Sequence, residues 1–304
     1  MTCKKCELEP VYKLSSGVKL CKSCFLKYFE KKVRKTIRIY NLIKKGDKVI
    51  VAVSGGKDSS TILEILSKLH LKNKIFELVA VSIDEGIGPY RKKTIKKAEK
   101  ICKKLGIKHY IFSFKKEFGY SLKEIMKKLQ IKPCTACGVL RRYLLNKKAR
   151  ELNANKLVIG HNLDDEAQTI LMNQFKRKMN LSARLGPLNG LKDDARFIRR
   201  IKPLYLMLEK ETATYAFLKG LMGSSSICPY SHEAFRDDVK KMLNDFEHKY
   251  HGTKNSIITS FLEVLPLLKN KYQTDEPINR CLDCGEATTS DFCQACKILK
   301  SLKD

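Results

Sequence analysis

The middle of the chain alternates short apolar, β-rich runs with longer stretches whose apolar residues recur at helical spacing. The runs predict strands over Lys48 to Val53, Leu78 to Ile83, Lys108 to Phe114 and Lys156 to Gly160. Helical patterns follow at Ser59 to Leu71, Tyr90 to Leu105, Leu122 to Gln130, Gly138 to Leu152 and Asp164 to Met179. Strand followed by helix, repeated, predicts βαβ units and an α/β fold, a doubly wound and mostly parallel sheet with ligands at the carboxyl ends of its strands. From Tyr205 to Lys269 the pattern is mainly helical, broken at Gly223-Ser224-Ser225-Ser226, and reads as an extension folded over the sheet.

Cysteines mark off both ends. Cys3, Cys6, Cys21 and Cys24 form two CxxC pairs within residues 1–27, and Cys281, Cys284, Cys293 and Cys296 repeat the pattern within 271–304. Paired knuckles of this kind close one tetrahedral zinc site each, and the metal supplies the folding free energy that so short a segment lacks. Two Zn2+ ions are expected, with residues 28–270 as the catalytic domain and its helical extension from about 205. The chain has no run of about eighteen apolar residues, and its N-terminus carries Cys3 and Cys6 where a targeting segment would be apolar. It reads as cytoplasmic, with no membrane partner and with thiolates as ligands in place of disulfides.

Charge narrows the partner. The 61 Lys and Arg outnumber the 32 Asp and Glu by 29, an excess that favours a polyanion through phosphate neutralisation and counterion release. Nucleic acid is the leading candidate.

The first strand ends in Ser54-Gly55-Gly56-Lys57-Asp58-Ser59-Ser60 and then enters a helical pattern. Two glycines allow close approach of the backbone to an anion, and free N–H groups and hydroxyls at the helix start hold phosphate oxygens. Lys57 adds a point charge. The spacing is neither a Walker A loop nor a dinucleotide GxGxxG. A later strand ends in Gly160-His161-Asn162-Leu163-Asp164-Asp165-Glu166, opening another helix. Asp164 and Glu166 there suit capping and the helix dipole, Mg2+ held with phosphates is the functional alternative, and Asp165 is the preferred functional carboxylate.

Three further cysteines stand apart: Cys134 and Cys137 in Pro133-Cys134-Thr135-Ala136-Cys137-Gly138, and Cys228 in Ile227-Cys228-Pro229-Tyr230. Near Arg141, Arg142 and a helix N-terminus, such thiols are expected to have lowered pKa values. A redox CxxC pair, a zinc site completed by His161 or water, and a [4Fe-4S] cluster on three cysteines with one open iron all fit the residues. Cys102 reads as a packed small residue.

The loop Ser54 to Ser60 resembles that of the PP-loop ATPases. Asp84-Glu85-Gly86-Ile87, Arg141-Arg142, Ile201-Lys202-Pro203-Leu204, the cysteine trio and both terminal modules further resemble the TtuA/TtcA group of tRNA thiolation enzymes, in its archaeal and cytosolic 2-thiolation branch. The resemblance implies ATP on Ala52, Ser54, Gly55, Gly56, Lys57, Asp58, Ser59, Ser60, Ile83, Arg141 and Gly160. It implies a [4Fe-4S] cluster on Cys134, Cys137 and Cys228, with Asp165 and Lys57 beside the chemistry and Mg2+ on the phosphates. The implied activity is adenylation of a tRNA uridine at C2, with sulfur transferred from the cluster. Wobble position 34 fits this branch, and position 54 of the T loop is the alternative, as is a cysteine persulfide in place of the cluster. Sulfur would come from free sulfide or a ubiquitin-like thiocarboxylate carrier, and a homodimer is implied. Two other classes compete: a PP-loop tRNA-modifying ligase, which needs no cysteine trio, and a non-enzymatic zinc-ribbon RNA-binding protein.

Overall fold

The computed structural model describes residues 2–191, 198–222, 228–230, 234–273, 279–288 and 290–302. The N-terminal ribbon, β1 (Tyr12–Lys13) and β2 (Lys19–Leu20), leads into α1 (Lys22–Ile39). Next come β3 (Lys48–Ala52), α2 (Lys57–Asn73), β4 (Glu77–Asp84), α3 (Pro89–Leu105) and β5 (His109–Ser113). The chain continues through α4 (Phe114–Phe118), α5 (Leu122–Leu129), α6 (Pro133–Glu151), β6 (Lys156–Val158), α7 (Leu163–Phe175), α8 (Met179–Ser182) and β7 (Arg199–Ile201). It ends with α9 (Glu209–Leu218), α10 (Ala234–Lys249), α11 (Thr253–Tyr272), β8 (Asn279–Arg280), β9 (Ala287–Thr288) and α12 (Gln294–Lys300).

The central sheet is the expected parallel one, in the order β5-β4-β3-β6-β7. Its middle strand is covered on both faces, with Val49, Ile50 and Val51 fully buried. A strand so placed gains from an unbroken apolar run, and burial stabilises by roughly 1.5–3 kcal/mol for each such side chain. Strands β4 and β5 lie on one side of β3, and β6 and β7 on the other. The order therefore reverses between β3 and β6, and a crevice opens there at the carboxyl ends.

Five strands form the sheet, one more than the sequence predicts. The extra strand, β7, is three residues of which two are arginine, so it offers no apolar run to read. Helix α6 starts at Pro133 and not at Gly138, because proline at the first helical position gives up an N–H that has no partner there. The helix expected to reach Met179 stops at Phe175, where Arg177 takes a left-handed φ of 54°. The break expected at Gly223 to Ser226 lies outside the described residues.

Both terminal modules are joined to the main core. Cys3 and Cys21 are buried in the same cluster as Phe25, Phe29 and Val33 of α1, and Phe29 stacks on Tyr215 of α9 with ring centroids 4.5 Å apart. The boundary expected at residue 27 falls inside α1, and that at 270 inside α11. Cys281, Cys293 and Cys296 share a second cluster with Leu140 and Leu144 of α6, and Asn146 Nδ2 donates to Glu286 at 2.9 Å. No helix among the described residues is long and apolar enough to cross a membrane.

Candidate active site

The loop after β3 is built around Gly55, whose φ of +81° favours glycine and whose added Cβ would lie 2.1 Å from the Thr94 carbonyl oxygen. Ser54 and Ser59 hydroxyls sit 3.0 Å apart, and the Ser54 N–H donates to Ser59 Oγ at 3.1 Å. Helix α2 is N-capped by Gly56 without a side-chain cap, so its first N–H groups stay open to an anion. Gly160 lets the end of β6 approach this helix start, since a Cβ there would meet the Ser59 backbone nitrogen at 3.0 Å.

The crevice is a cleft of about 470 Å³. Of the residues expected around ATP, Ala52, Ser54, Asp58, Ser59, Ile83, Arg141 and Gly160 line it. Gly55 and Gly56 supply the turn behind them, and Ser60 is fully buried. Lys57 faces elsewhere: its ammonium bridges Asp58 Oδ2 and Glu209 Oε1, each at 3.0 Å.

The three acidic residues of α7 divide the roles differently from the expectation. Asp165 lines the cleft, and it also completes a capping box with Asn162. Burial pushes its carboxyl up to about 6, Asp58 reinforcing the effect while the Asn162 N–H opposes it. Asp164 pairs with buried Lys254 and accepts from the Glu209 N–H at 2.7 Å. Glu166 is held by Lys202 at 2.7 Å, with both side chains almost wholly enclosed. Burial there raises the Glu166 carboxyl pKa and lowers that of the Lys202 ammonium. His161 stands at the cleft, its Nδ1 3.8 Å from Glu166.

Two of the three separate cysteines, Cys137 and Cys228, act electrostatically on Arg141, which lines this cleft. Cys134 Sγ donates to the Tyr230 carbonyl at 2.8 Å, which ties the start of α6 to the segment bearing Cys228. Cys134 and Cys228 both act electrostatically on Cys137, and Cys228 acts on Arg141 and Tyr90. The expected lowering of the thiol pKa is not found at Cys137. Burial dominates and pushes it up to about 11, although Arg141 pulls the other way. Arg141, one turn along from Cys137, reaches Glu85 at 3.5 Å on the cleft wall. Cys102 is buried, as expected of a packing residue.

In each terminal tetrad the four sulfurs lie within 4.8 Å of one another. Cys6 is 3.3 Å from Cys21 and 3.6 Å from Cys24, and Cys284 is 3.7 Å from Cys293. A tetrahedral ion with sulfurs at about 2.3 Å separates them by about 3.8 Å, so either tetrad has the size and donors for zinc. Backbone N–H groups of Cys293 and Cys296 point at Cys281 and Cys293 sulfurs, at 3.3 and 3.4 Å, as suits thiolates.

Sequence reading missed Arg91 and Arg200. Arg91 is buried and donates through Nη1 to the Ser54 carbonyl at 2.8 Å and through Nε to the Ile83 carbonyl at 2.7 Å, with Glu85 beside it. It joins the tips of β3 and β4. In sequence it is one cation among the many of Arg91-Lys92-Lys93, and only the burial pattern of α3 sets it apart.

A parallel sheet with a glycine-turned phosphate loop at its switch point defines a PP-loop nucleotide-binding protein, and the family profile described as a PP-loop domain matches residues 26–222. The tRNA 2-thiolation protein NcsA of Haloferax volcanii is 35% identical over 319 residues, covering 100% of this chain and 99% of the relative. The tRNA-5-methyluridine(54) 2-sulfurtransferase of Pyrococcus horikoshii is 35% identical, covering 98% and 93%. The solved structure of the U34-tRNA thiolase NcsA from Methanococcus maripaludis, with its [4Fe-4S] cluster, superposes with a TM-score of 0.85 at 34% identity, covering 99% of this chain and 96% of that one. The chain belongs to the PP-loop tRNA 2-thiolation family, in the branch of NcsA and the cytosolic thiolation proteins.

The enclosed Lys202–Glu166 pair yields a direct test. Lys202→Met leaves the carboxylate buried without its partner and is expected to cost about 3–5 kcal/mol in denaturant unfolding. Adding Glu166→Leu should recover most of that loss. A single variant as stable as the parent would contradict the pairing.

Proposed function

We propose that this protein converts the wobble uridine of tRNA to 2-thiouridine, consuming ATP and releasing AMP and pyrophosphate. The observation that carries this reading is the position of Arg141, which interacts with Cys137 and Cys228 and reaches Glu85 in the wall of the loop-bearing cleft, with Cys134 one turn before Cys137 on the same helix. A ligase needs no such trio, and a plain RNA-binding protein needs no phosphate loop.

Adenine packs on the apolar wall formed by Ala52 and Ile83, with the phosphates on the open N–H groups of α2 and the hydroxyls of Ser54 and Ser59. Gly55, Gly56 and Ser60 shape this seat, and Gly160 lets it close. Lys57 acts through Asp58, which it holds in place. Asp58 and Asp165 line the cleft and would supply carboxylate oxygens to Mg2+ bound with the phosphates. The uridine C2 oxygen attacks the α phosphorus, pyrophosphate leaves, and the oxygen becomes part of a good leaving group. Sulfide then forms the new bond at C2 and AMP departs. Arg141 offsets charge on the transferred phosphoryl group while keeping the adenylated base against the cysteines.

Three thiols and an adjacent cation fit an iron–sulfur group, which when bound offers an iron with an open position for sulfide. Sulfur arrives as free sulfide or from a carrier with a C-terminal thiocarboxylate. The terminal tetrads take Zn2+, which closes the two modules against α1 and α6.

Position 34 is supported by the name of the Methanococcus relative, whereas the Pyrococcus relative is named for position 54. Anaerobically prepared protein, incubated with ATP, Mg2+, sulfide and unmodified tRNA, is expected to place one sulfur at position 34, read by mass spectrometry of nuclease fragments. Sulfur at position 54 would move the site, and no thiolation of any tRNA would overturn the reading.

Asp165 gives the reaction a pH signature. Its carboxyl, raised to about 6, must be ionised to hold a cation. Mg2+-dependent ATP affinity should therefore be at its plateau above that pH and weaken, by up to about tenfold per pH unit, below it. Asp165→Asn should bind more weakly with a flat profile over the same range. A parent profile that is flat through pH 5 would contradict the role.

A further inference from the structure

A second cavity, of about 360 Å³, lies between α6, β7 and the C-terminal module. Arg142, Arg184 and Arg200 line it, together with Tyr143, Gln294 and Glu286. Arg142 and Arg200 also line the nucleotide cleft, so the two spaces share a wall. Among the described residues none of these three arginines has an acidic partner. The acid in the lining, Glu286, is already engaged by Arg150 and by Asn146. Arg200 is held down at about 10 by burial and by repulsion from Arg142. Cations gathered in this way cost free energy unless an anion joins them.

We propose that this groove is a phosphate subsite for the substrate RNA, where Arg142, Arg184 and Arg200 grip the backbone next to the nucleotide whose base enters the cleft. Guanidinium groups present flat pairs of donors that match phosphodiester oxygens. A base taken out of its stack for chemistry needs its flanking backbone held, and the shared wall puts the grip beside the cleft that the base enters. The far wall is the C-terminal module, through Ala287, Cys293 and Gln294. That module thus contributes a surface to the substrate site in addition to closing the fold. A carrier protein's acidic tail is the competing occupant, but the shared wall with the nucleotide cleft favours the RNA.

The inference rests on the tRNA reading, and its test separates the two. Arg184 lies outside the nucleotide cleft, so Arg184→Gln is the primary variant, Arg184→Lys the conservative one and Arg142→Gln/Arg184→Gln the stronger one. Affinity of the full-length, cluster-loaded protein for unmodified tRNA is measured by fluorescence anisotropy across a salt series, with ATP affinity and thermal melting in parallel. Arg184→Gln is expected to weaken tRNA binding about five- to tenfold and to reduce the slope of log affinity against log salt by about one. Arg184→Lys should keep the slope, the double variant should lose about two, and ATP affinity of Arg184→Gln should match the parent. Parent-like tRNA affinity and slope in both Gln variants would overturn the subsite while leaving the tRNA reading intact. A loss confined to ATP affinity would assign the groove to the nucleotide and equally overturn it. Failure of the parent to bind any tRNA would overturn both.

Discussion

The site depends on one buried cation. Arg91 joins the carbonyl oxygens of Ser54 and Ile83, so the phosphate loop and the tip of β4 hold a fixed separation. Glu85, 2% exposed, balances that charge and turns its other oxygen towards Arg141. A buried cation is tolerable only with such partners, and removing either one leaves an uncompensated charge in the core. The relay of Arg91, Glu85 and Arg141 thus links the loop that positions ATP to the helix that carries Cys134 and Cys137. Nucleotide seat and cysteine trio are set against one another by the core itself.

Around this relay, among the described residues, several lysines are paired within the chain. Lys57, Lys202 and Lys254 are each held by a carboxylate, from Glu209, Glu166 and Asp164. Arg142 and Arg200 face the cleft and the neighbouring groove without one among the described residues. The two behaviours follow from burial: an enclosed ammonium requires a counterion from its own chain, whereas a guanidinium on a cleft wall is available to a ligand. The net charge of +29 is therefore not spread evenly in function.

The sequence made the sheet legible because β3 to β6 are apolar runs between glycine turns and helical stretches. The loop Ser54 to Ser60 and both tetrads could be read because the chemistry is local, set by spacing within a few residues. What depended on distant pairing could not be read. Strand β7 is held by its neighbour β6 and not by its own composition, and the buried position of Arg91 is visible only once α3 packs against β4. Lys57 shows another effect of distant pairing, since a lysine in a phosphate loop invites a phosphate contact, and here Asp58 and Glu209 each accept a hydrogen bond from its ammonium. At Cys137 the expected effect of Arg141 is present but burial outweighs it.

On the proposed reading, three cysteines beside the cleft hold an iron–sulfur group distinct from any metal in the two terminal tetrads. Iron, sulfide and zinc content of protein purified without oxygen, with electron paramagnetic resonance after reduction, tests it against a Cys134→Ala, Cys137→Ala, Cys228→Ala variant. About four irons per chain are expected in the parent, none in the variant, and about two zinc ions in both. Parent protein that lacks iron and still thiolates tRNA would contradict that reading and move the sulfur chemistry to a cysteine persulfide.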